Sequence, residues 1–275
     1  MDELDRAVEL LSTADALLVC AGAGMGVDSG LPTFRDDRGF WRDYPPFERL
    51  GVGLAELATP ARFVTDPTLA WGFYLHRLDV YRRAVPHAGF EALWCWGSAV
   101  PAGVRVFTSN IDGLFQRAGF DRVAEVHGSI HHVQCVEPCS DDVWSADDLV
   151  ADVDPLSMRA TGRLPRCRNC GGPARPNVLM FGDYSWVGTR SWDGLDELTA
   201  WRHGLRDANL VVVEIGAGSA VRTVRQHAEL ATAANGALIR INPQDSQVRD
   251  GRGVSLALGA AEALTGIDAR LVSLR

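Results

Sequence analysis

The chain has 275 residues, with 27 Lys and Arg against 35 Asp and Glu, a formal net charge of −8 and 47% hydrophobic residues. That length can bury a core able to support independent folding, and the acidic balance excludes the broad basic footprint of a nucleic-acid partner. The start Asp2-Glu3-Leu4-Asp5 lacks the positive charge of a secretory signal and no apolar run reaches the roughly 20 residues of a bilayer span, so no membrane partner is expected and the cytoplasm is the expected compartment.

Residues 15–21 form a short apolar run that stops at glycines, too short and too β-rich for a core helix, which predicts a buried strand. Similar runs at 104–108, 210–215 and 237–241 stop at Gly, Asn or Ser, as strands do when their carboxyl ends carry functional loops. These four predict a parallel sheet. Residues 221–234 have helical spacing and are closed by Asn235-Gly236, which makes the last two strands a right-handed crossover unit. Residues 36–85, rich in aromatics and Pro, and residues 128–175, which carry cysteine pairs, break this rhythm. The expected fold is therefore α/β: a Rossmann-like parallel-sheet domain from residues 1–35, 86–127 and 176–275, with a smaller inserted domain from 36–85 and 128–175. The smaller domain combines a helical module with a metal-binding one.

Gly22-Ala23-Gly24-Met25-Gly26 follows the first predicted strand directly, so backbone N–H groups can approach a pyrophosphate that a side chain would hold away. Val27 stands at the third glycine position of the ordinary dinucleotide fingerprint, and a glycine turn after a strand is also an ordinary tight turn. Four of the six cysteines fall in two pairs, Cys135/Cys139 and Cys167/Cys170, able to bring four thiolates to one zinc ion in a closed structural site. The alternative is two unrelated pairs of free thiols. Gly171-Gly172 supplies the tight turn a zinc knuckle needs. Cys20 and Cys95, among apolar neighbours, are expected to be buried small hydrophobes. His131 and His132, beside a complete set of four thiolates, are expected to be structural or solvent-facing.

The continuation Val27-Asp28-Ser29-Gly30-Leu31-Pro32-Thr33-Phe34-Arg35 and Gly39-Phe40-Trp41 resembles the signature of the sirtuin family. Further segments are similar to that family in the same order: Thr108-Ser109-Asn110-Ile111-Asp112-Gly113-Leu114, then Glu125-Val126-His127-Gly128-Ser129, the cysteine pairs, residues 175–183, and Ile241-Asn242-Pro243. The resemblance implies an NAD-dependent protein lysine deacylase that removes acetyl, succinyl or malonyl groups from acyl-lysine proteins. The acyl oxygen displaces nicotinamide from NAD, and the products are free lysine and O-acyl-ADP-ribose.

By the same resemblance, His127 is the general base acting on a ribose hydroxyl, with Asn110 beside it, and imidazole accepts a proton near neutral pH. The implied cofactor contacts are Gly22, Ala23, Gly24, Gly26, Asp28, Phe34, Arg35, Trp41, Ser109, Asn110, Ile111, Asp112, Gly216, Ala217, Gly218, Asn242 and Pro243. Ala217 and Gly218 lack the hydroxyls usual at their positions, and Ser109 stands where glutamine is common, which implies altered affinity rather than a lost site. Val178, Phe181 and Gly182 fall in a segment resembling the one against which the substrate peptide lies as an added strand. Tyr74 and Arg77 have a spacing that puts phenol and guanidinium on one helix face. The pair matches sirtuins that remove acidic acyl groups, and Thr33, where many deacetylases carry Asp, points the same way. An alternative activity at the same NAD site is ADP-ribosyl transfer or NAD hydrolysis. An NAD-sensing module without turnover would fit a chain lacking His127.

Overall fold

In the computed structural model, which describes residues 2–33, 37–205, 207–219, 221–233, 236–248 and 253–273, the sequence organises around six parallel strands. Strand β1 (Ala16–Ala21) pairs with β2 (Val104–Thr108) on one side and β7 (Leu210–Ile215) on the other; β3 (Val123–Glu125) follows β2, while β8 (Ala237–Ile241) and β9 (Val254–Leu256) continue beyond β7. The four strands expected from the sequence are all present, and two short edge strands join them. Every residue of β1 is buried: Leu17, Val19 and Ala21 enter one core, while Ala16, Leu18 and Cys20 enter the other. A parallel sheet covered on both faces therefore reads as a continuous apolar run rather than an alternation.

The first core is closed by α1 (Glu3–Ser12), α7 (Ala88–Ala99) and α11 (Ala260–Ser273), and the second by α9 (Thr189–His203) and α10 (Thr223–Thr232). Helix α1 opens with a capping box, in which Asp2 accepts from the Asp5 backbone N–H and Asp5 from that of Asp2. Helix α10 lies within the 221–234 stretch predicted to be helical; Asn235 of the expected cap lies outside the described residues. Cys20 is buried as expected, but Cys95 is exposed, a correction that follows from its place on the outer side of α7, where Ala92, Leu93 and Trp96 face inward. Local apolar composition did not reveal which helix face the residue occupies.

Between β1 and β2 the chain first makes the helical insertion: α2 (Asp37–Asp43), α3 (Pro45–Leu50), α4 (Leu54–Leu57), α5 (Arg62–Thr65) and α6 (Pro67–Arg83). Asp66 caps α6 by accepting from the Leu69 N–H, and Pro67 sits at the first helical position. The short helix α8 (Leu114–Arg117) follows β2. A second, antiparallel sheet follows β3, with β4 (Gly128–Cys135) central between β5 (Val143–Ser145) and β6 (Ala174–Val178).

The two insertions interlock. Trp71 donates its indole N–H to the Ala174 carbonyl at 3.0 Å, the Ala160 N–H donates to the Thr68 carbonyl, and Arg159 pairs with Asp66. At the centre of the contact a Cβ on Gly72 would lie 1.9 Å from the Met158 carbonyl oxygen, and Met158 itself holds a φ of 54°. Neither partner can retreat cheaply, since Met158 is already in a sparsely populated conformation costing of order 1–3 kcal/mol. Gly72→Ala is therefore expected to lower unfolding free energy by about 2–4 kcal/mol, measured by denaturant titration; a loss below the error of that titration would show that the interface yields.

Candidate functional site

The metal module is built by β4, which ends at Cys135, by the turn carrying Cys139, and by the loop before β6 carrying Cys167 and Cys170. The Cys167 N–H donates to the Gly172 carbonyl and the Gly171 N–H to the Cys167 carbonyl, the latter glycine at a φ of 70°, so the chain folds back under the second thiol pair. All four sulfurs lie within 4.8 Å of one another, with Cys135 to Cys170 at 3.7 Å and Cys139 to Cys167 at 3.6 Å. A tetrahedral ion with zinc–sulfur bonds of about 2.3 Å needs sulfur separations of about 3.8 Å, so the donor set fits structural zinc. His131 lies apart, its Nε2 2.9 Å from the Asp112 carbonyl oxygen, and His132 is not among the four ligands.

At the carboxyl ends of β1, β2, β7 and β8 lies a cavity of about 610 Å³. Order reverses between β1 and β7, the place where open α/β sheets bind ligands. Here the glycine loop crosses the loop after β7: the Gly24 N–H donates to the Gly216 carbonyl, and a Cβ on Gly24 would fall 2.5 Å from the Gly216 Cα. The helical turn Ala23–Ser29 begins there with no side chain capping it; the Gly24 and Met25 N–H groups donate to the Gly216 and Gly22 carbonyls, and Ala23 lines the cavity. From β2, Asn110 donates its amide to the Gly22 carbonyl, and Asp112 accepts from the Leu114 N–H. From β8, Asn242 donates to the Ala217 carbonyl and accepts from the Gln244 and Asp245 N–H groups.

His127 stands between β3 and β4, half-buried at the cavity wall, and its carbonyl accepts from the Leu179 N–H. Its imidazole makes no hydrogen bond to a described residue, and burial pushes its pKa below the ordinary histidine value, which keeps the ring neutral and able to take a proton. Beside it runs the segment after β6. Residues 178–183 are fixed by a fully buried pair in which Arg175 donates to both carboxylate oxygens of Asp183, at 2.8 and 2.9 Å, and Asp183 also accepts from the Met180 and Ser185 N–H groups. Val178 and Phe181 line the cavity.

The far wall comes from α6. Tyr74 and Arg77 are both buried there, and Arg77 donates through Nε and Nη2 to the Tyr81 hydroxyl at 3.1 and 2.5 Å. Burial pushes the Tyr74 phenol up to about 12, so it remains a protonated donor. Asp112, on the same wall, has its carboxyl pushed up to about 6 by burial, with the Leu114 N–H opposing and Glu125 adding to the rise.

Of the residues expected from the sequence, Gly22, Ala23, Gly24, Ser109, Asn110, Ile111, Asp112, His127, Val178, Phe181, Tyr74, Arg77, Gly216, Ala217, Gly218 and Asn242 all line this one cavity. Gly26, Trp41, Gly182 and Pro243 do not, and neither does Asp28. Trp41 donates to the Val52 carbonyl within the helical insertion, and Asp28 accepts from the Ala261 N–H at the start of α11. Phe34 and Arg35 lie outside the described residues. Tyr81, Ala58 and Asp245 line the cavity without having been singled out from the sequence; for Tyr81 the signal was available, since it stands one helical turn after Arg77.

The Sir2 family model matches residues 22–221, which contain most of this wall. The chain belongs to the Sir2 family. Among curated Sir2 relatives, the chain is 35% identical to NAD-dependent protein deacylase 2 of Pyrobaculum aerophilum, over 87% of this chain and 84% of the relative. It is 32% identical to the NAD-dependent protein deacylase of Corynebacterium glutamicum, over 95% and 94%. Among solved structures, a Sir2 homologue in complex with NAD superposes with a TM-score of 0.75 at 25% identity, covering 100% of this chain and 95% of that one. A Sir2 homologue bound to ADP-ribose gives 0.74 at 26% identity, covering 100% and 98%.

Two outcomes follow for this Sir2 site. Metal analysis should return one zinc per chain, and Cys167→Ser should abolish it and lower the thermal midpoint, because the metal's binding energy is folding energy; zinc-free protein of unchanged stability would refute the assignment. Asp112 supplies a pH signature. Its pKa is raised on folding, so between pH about 4 and 6 the unfolded chain releases the proton first, and stability falls as pH rises through that window. Asp112→Asn, which keeps an acceptor for the Leu114 N–H, should be more stable than the parent by roughly 3 kcal/mol at pH 8 and gain little at pH 4, as read from chemical denaturation at both values.

Proposed function

We propose that this Sir2 chain is an NAD-dependent protein lysine deacylase in which His127 is the general base and the acyl group preferred is one bearing a carboxylate. What carries the proposal is the convergence, in one cavity, of three kinds of wall: backbone donors at parallel strand ends, a neutral imidazole, and a buried phenol and guanidinium. The arrangement suits NAD, since the glycine loops after β1 and β7, free of side chains, line the cavity at the start of an uncapped helical turn while Asn110 and Asn242 brace them. When bound, NAD supplies the ribose carbon to which the acyl oxygen becomes attached as nicotinamide leaves.

The chain's own residues then have separable tasks. His127 Nε2 or Nδ1 takes the proton of a ribose hydroxyl, the reason its ring must be neutral before reaction. The acyl-peptide backbone lies along residues 178–181, which Arg175 and Asp183 hold rigid and which the Leu179 N–H ties to His127. Tyr74 and Arg77 meet the far end of the acyl chain, and guanidinium recognises carboxylate through paired hydrogen bonds. In this reading residues 1–35, 86–127 and 176–275 form the cofactor domain and residues 36–85 and 128–175 the small domain, with substrate held between them. None of the six cysteines is in a disulfide, as a reducing compartment preserves them, and we take the enzyme to work in the cytoplasm.

Incubating the protein with NAD and acetyl-, malonyl- and succinyl-lysine peptides, with mass spectrometry for O-acyl-ADP-ribose, tests the activity directly. Release of free ADP-ribose or labelling of protein without acyl transfer would replace the proposal with NAD hydrolysis or ADP-ribosyl transfer. His127→Ala should retain NAD binding by calorimetry and lose about 10²–10⁴-fold in kcat, and wild-type turnover in that variant would remove His127 from the mechanism.

A further inference from the structure

Helix α6 carries a tyrosine on each side of Arg77: Tyr74 three residues before it and Tyr81 four after. Positions three and four apart share a helix face, and all three side chains line the same cavity. Tyr81 is buried, and its hydroxyl oxygen accepts from both Arg77 Nε and Arg77 Nη2. A phenol oxygen engaged as acceptor still has its own hydrogen to donate. The Tyr81 hydroxyl donates to no described residue, and the Tyr74 hydroxyl makes no hydrogen bond to one either. The Arg77 guanidinium also stands 5.3 Å from the Tyr81 ring centre and 5.8 Å from that of Tyr74, so its orientation is fixed by the same two side chains.

Two O–H donors that face one cavity beside a buried guanidinium are placed to give their hydrogens to a ligand that supplies an acceptor. Burial raises the pKa of both phenols, so both carry their hydrogens throughout the neutral range. One acceptor matched to all of these groups is a carboxylate, which has lone pairs enough for several donors and a charge opposite to the guanidinium.

We propose that Tyr81 is a specificity-determining residue of the acyl pocket, donating its hydroxyl hydrogen to the free carboxylate of a dicarboxylic acyl group while its oxygen holds Arg77 in register to meet the same carboxylate. The acyl pocket is then a seat of three donor side chains, Tyr74, Arg77 and Tyr81. This rests on the acidic-acyl reading and goes beyond the Tyr-x-x-Arg pair that prompted it. The seat also explains rejection: an acyl chain without the charge gives the guanidinium no counter-charge and the two hydroxyls a poorer acceptor, and unmet polar groups discriminate more strongly than missing apolar contact.

The test compares kcat/KM for a succinyl-lysine peptide with that for its methyl ester, which keeps the acyl carbons, adds one methyl group and loses the charge. The full-length wild-type enzyme should favour succinyl by about 10–100-fold, and Tyr81→Phe, which keeps the ring against Arg77, should reduce that ratio by about tenfold, chiefly through KM for the acid. Should the Phe variant fold poorly, Tyr81→His, which retains a ring donor, is set against Tyr81→Leu, and the ratio should be higher for His. A wild type that treats acid and ester alike overturns the acidic-acyl reading and the role of Tyr81 together. A wild-type preference that Arg77→Met abolishes and Tyr81→Phe leaves intact overturns the role of Tyr81 alone. Equal losses on acid and ester in the Phe variant, or equal ratios for His and Leu, reduce Tyr81 to packing and overturn it as well.

Discussion

The structure depends on the crossing of two backbones at the switch between β1 and β7. Gly24 and Gly216 approach so closely that a Cβ on the second would lie 2.3 Å from the Cα of the first. Because the strands are parallel and in register, that crossing sets where the loops after β2 and β8 emerge, and Asn110 and Asn242 tie each of them to one of the crossing loops. Four segments distant in sequence thereby present their ends to one opening. A side chain at the crossing would part the loops, and the N–H groups that depend on their spacing would no longer converge.

How much of this was legible beforehand follows from how local each signal is. The runs that became β1, β2, β7 and β8 are buried on both faces, so their apolar character alone marked them. Strands β3 and β9 have three residues each, Val-Ala-Glu and Val-Ser-Leu, too few for any period, and exist because a neighbouring strand offers a ladder. The walls of the cavity around residues 108–112 and at His127 were readable because each is a contiguous motif with its own turn chemistry. Trp41 and Asp28 belong to equally recognisable motifs yet serve their own insertions and helices, which only the tertiary contacts reveal. The meeting of Gly72 with Met158 left no sequence signal, since neither residue type announces a partner so far along the chain.

The cavity also stores free energy that folding alone would not spend. Asp112 is held where ionisation is disfavoured, His127 where protonation is, and Arg77 is sunk among rings. Each departs from what a stable apolar core would choose, and together they give one wall that gives protons away reluctantly, one that accepts them, and one that keeps its charge. The buried Arg175–Asp183 pair plays the opposite part: each charge is answered by the other, and the carboxylate's further bonds to the Met180 and Ser185 N–H groups make the adjoining segment stiff.

The contact at Gly72 has a mechanical meaning. Trp71 and Gly72, which grip β6 and the loop holding Met158, lie less than one helical turn from Tyr74 on the same rigid helix. The four-cysteine cluster lies at the same end of β6, where Cys135 stands opposite Ala174, and closes that loop through Cys167 and Cys170. The cysteine cluster and the cavity wall are thus joined by a short run of contacts, Ala174 to Trp71 and Met158 to Gly72. The cysteine cluster and the cavity wall that carries Tyr74 and Arg77 are therefore held in fixed relation by side-chain packing along one helix, whereas the strand ends that form the rest of the cavity belong to the other sheet.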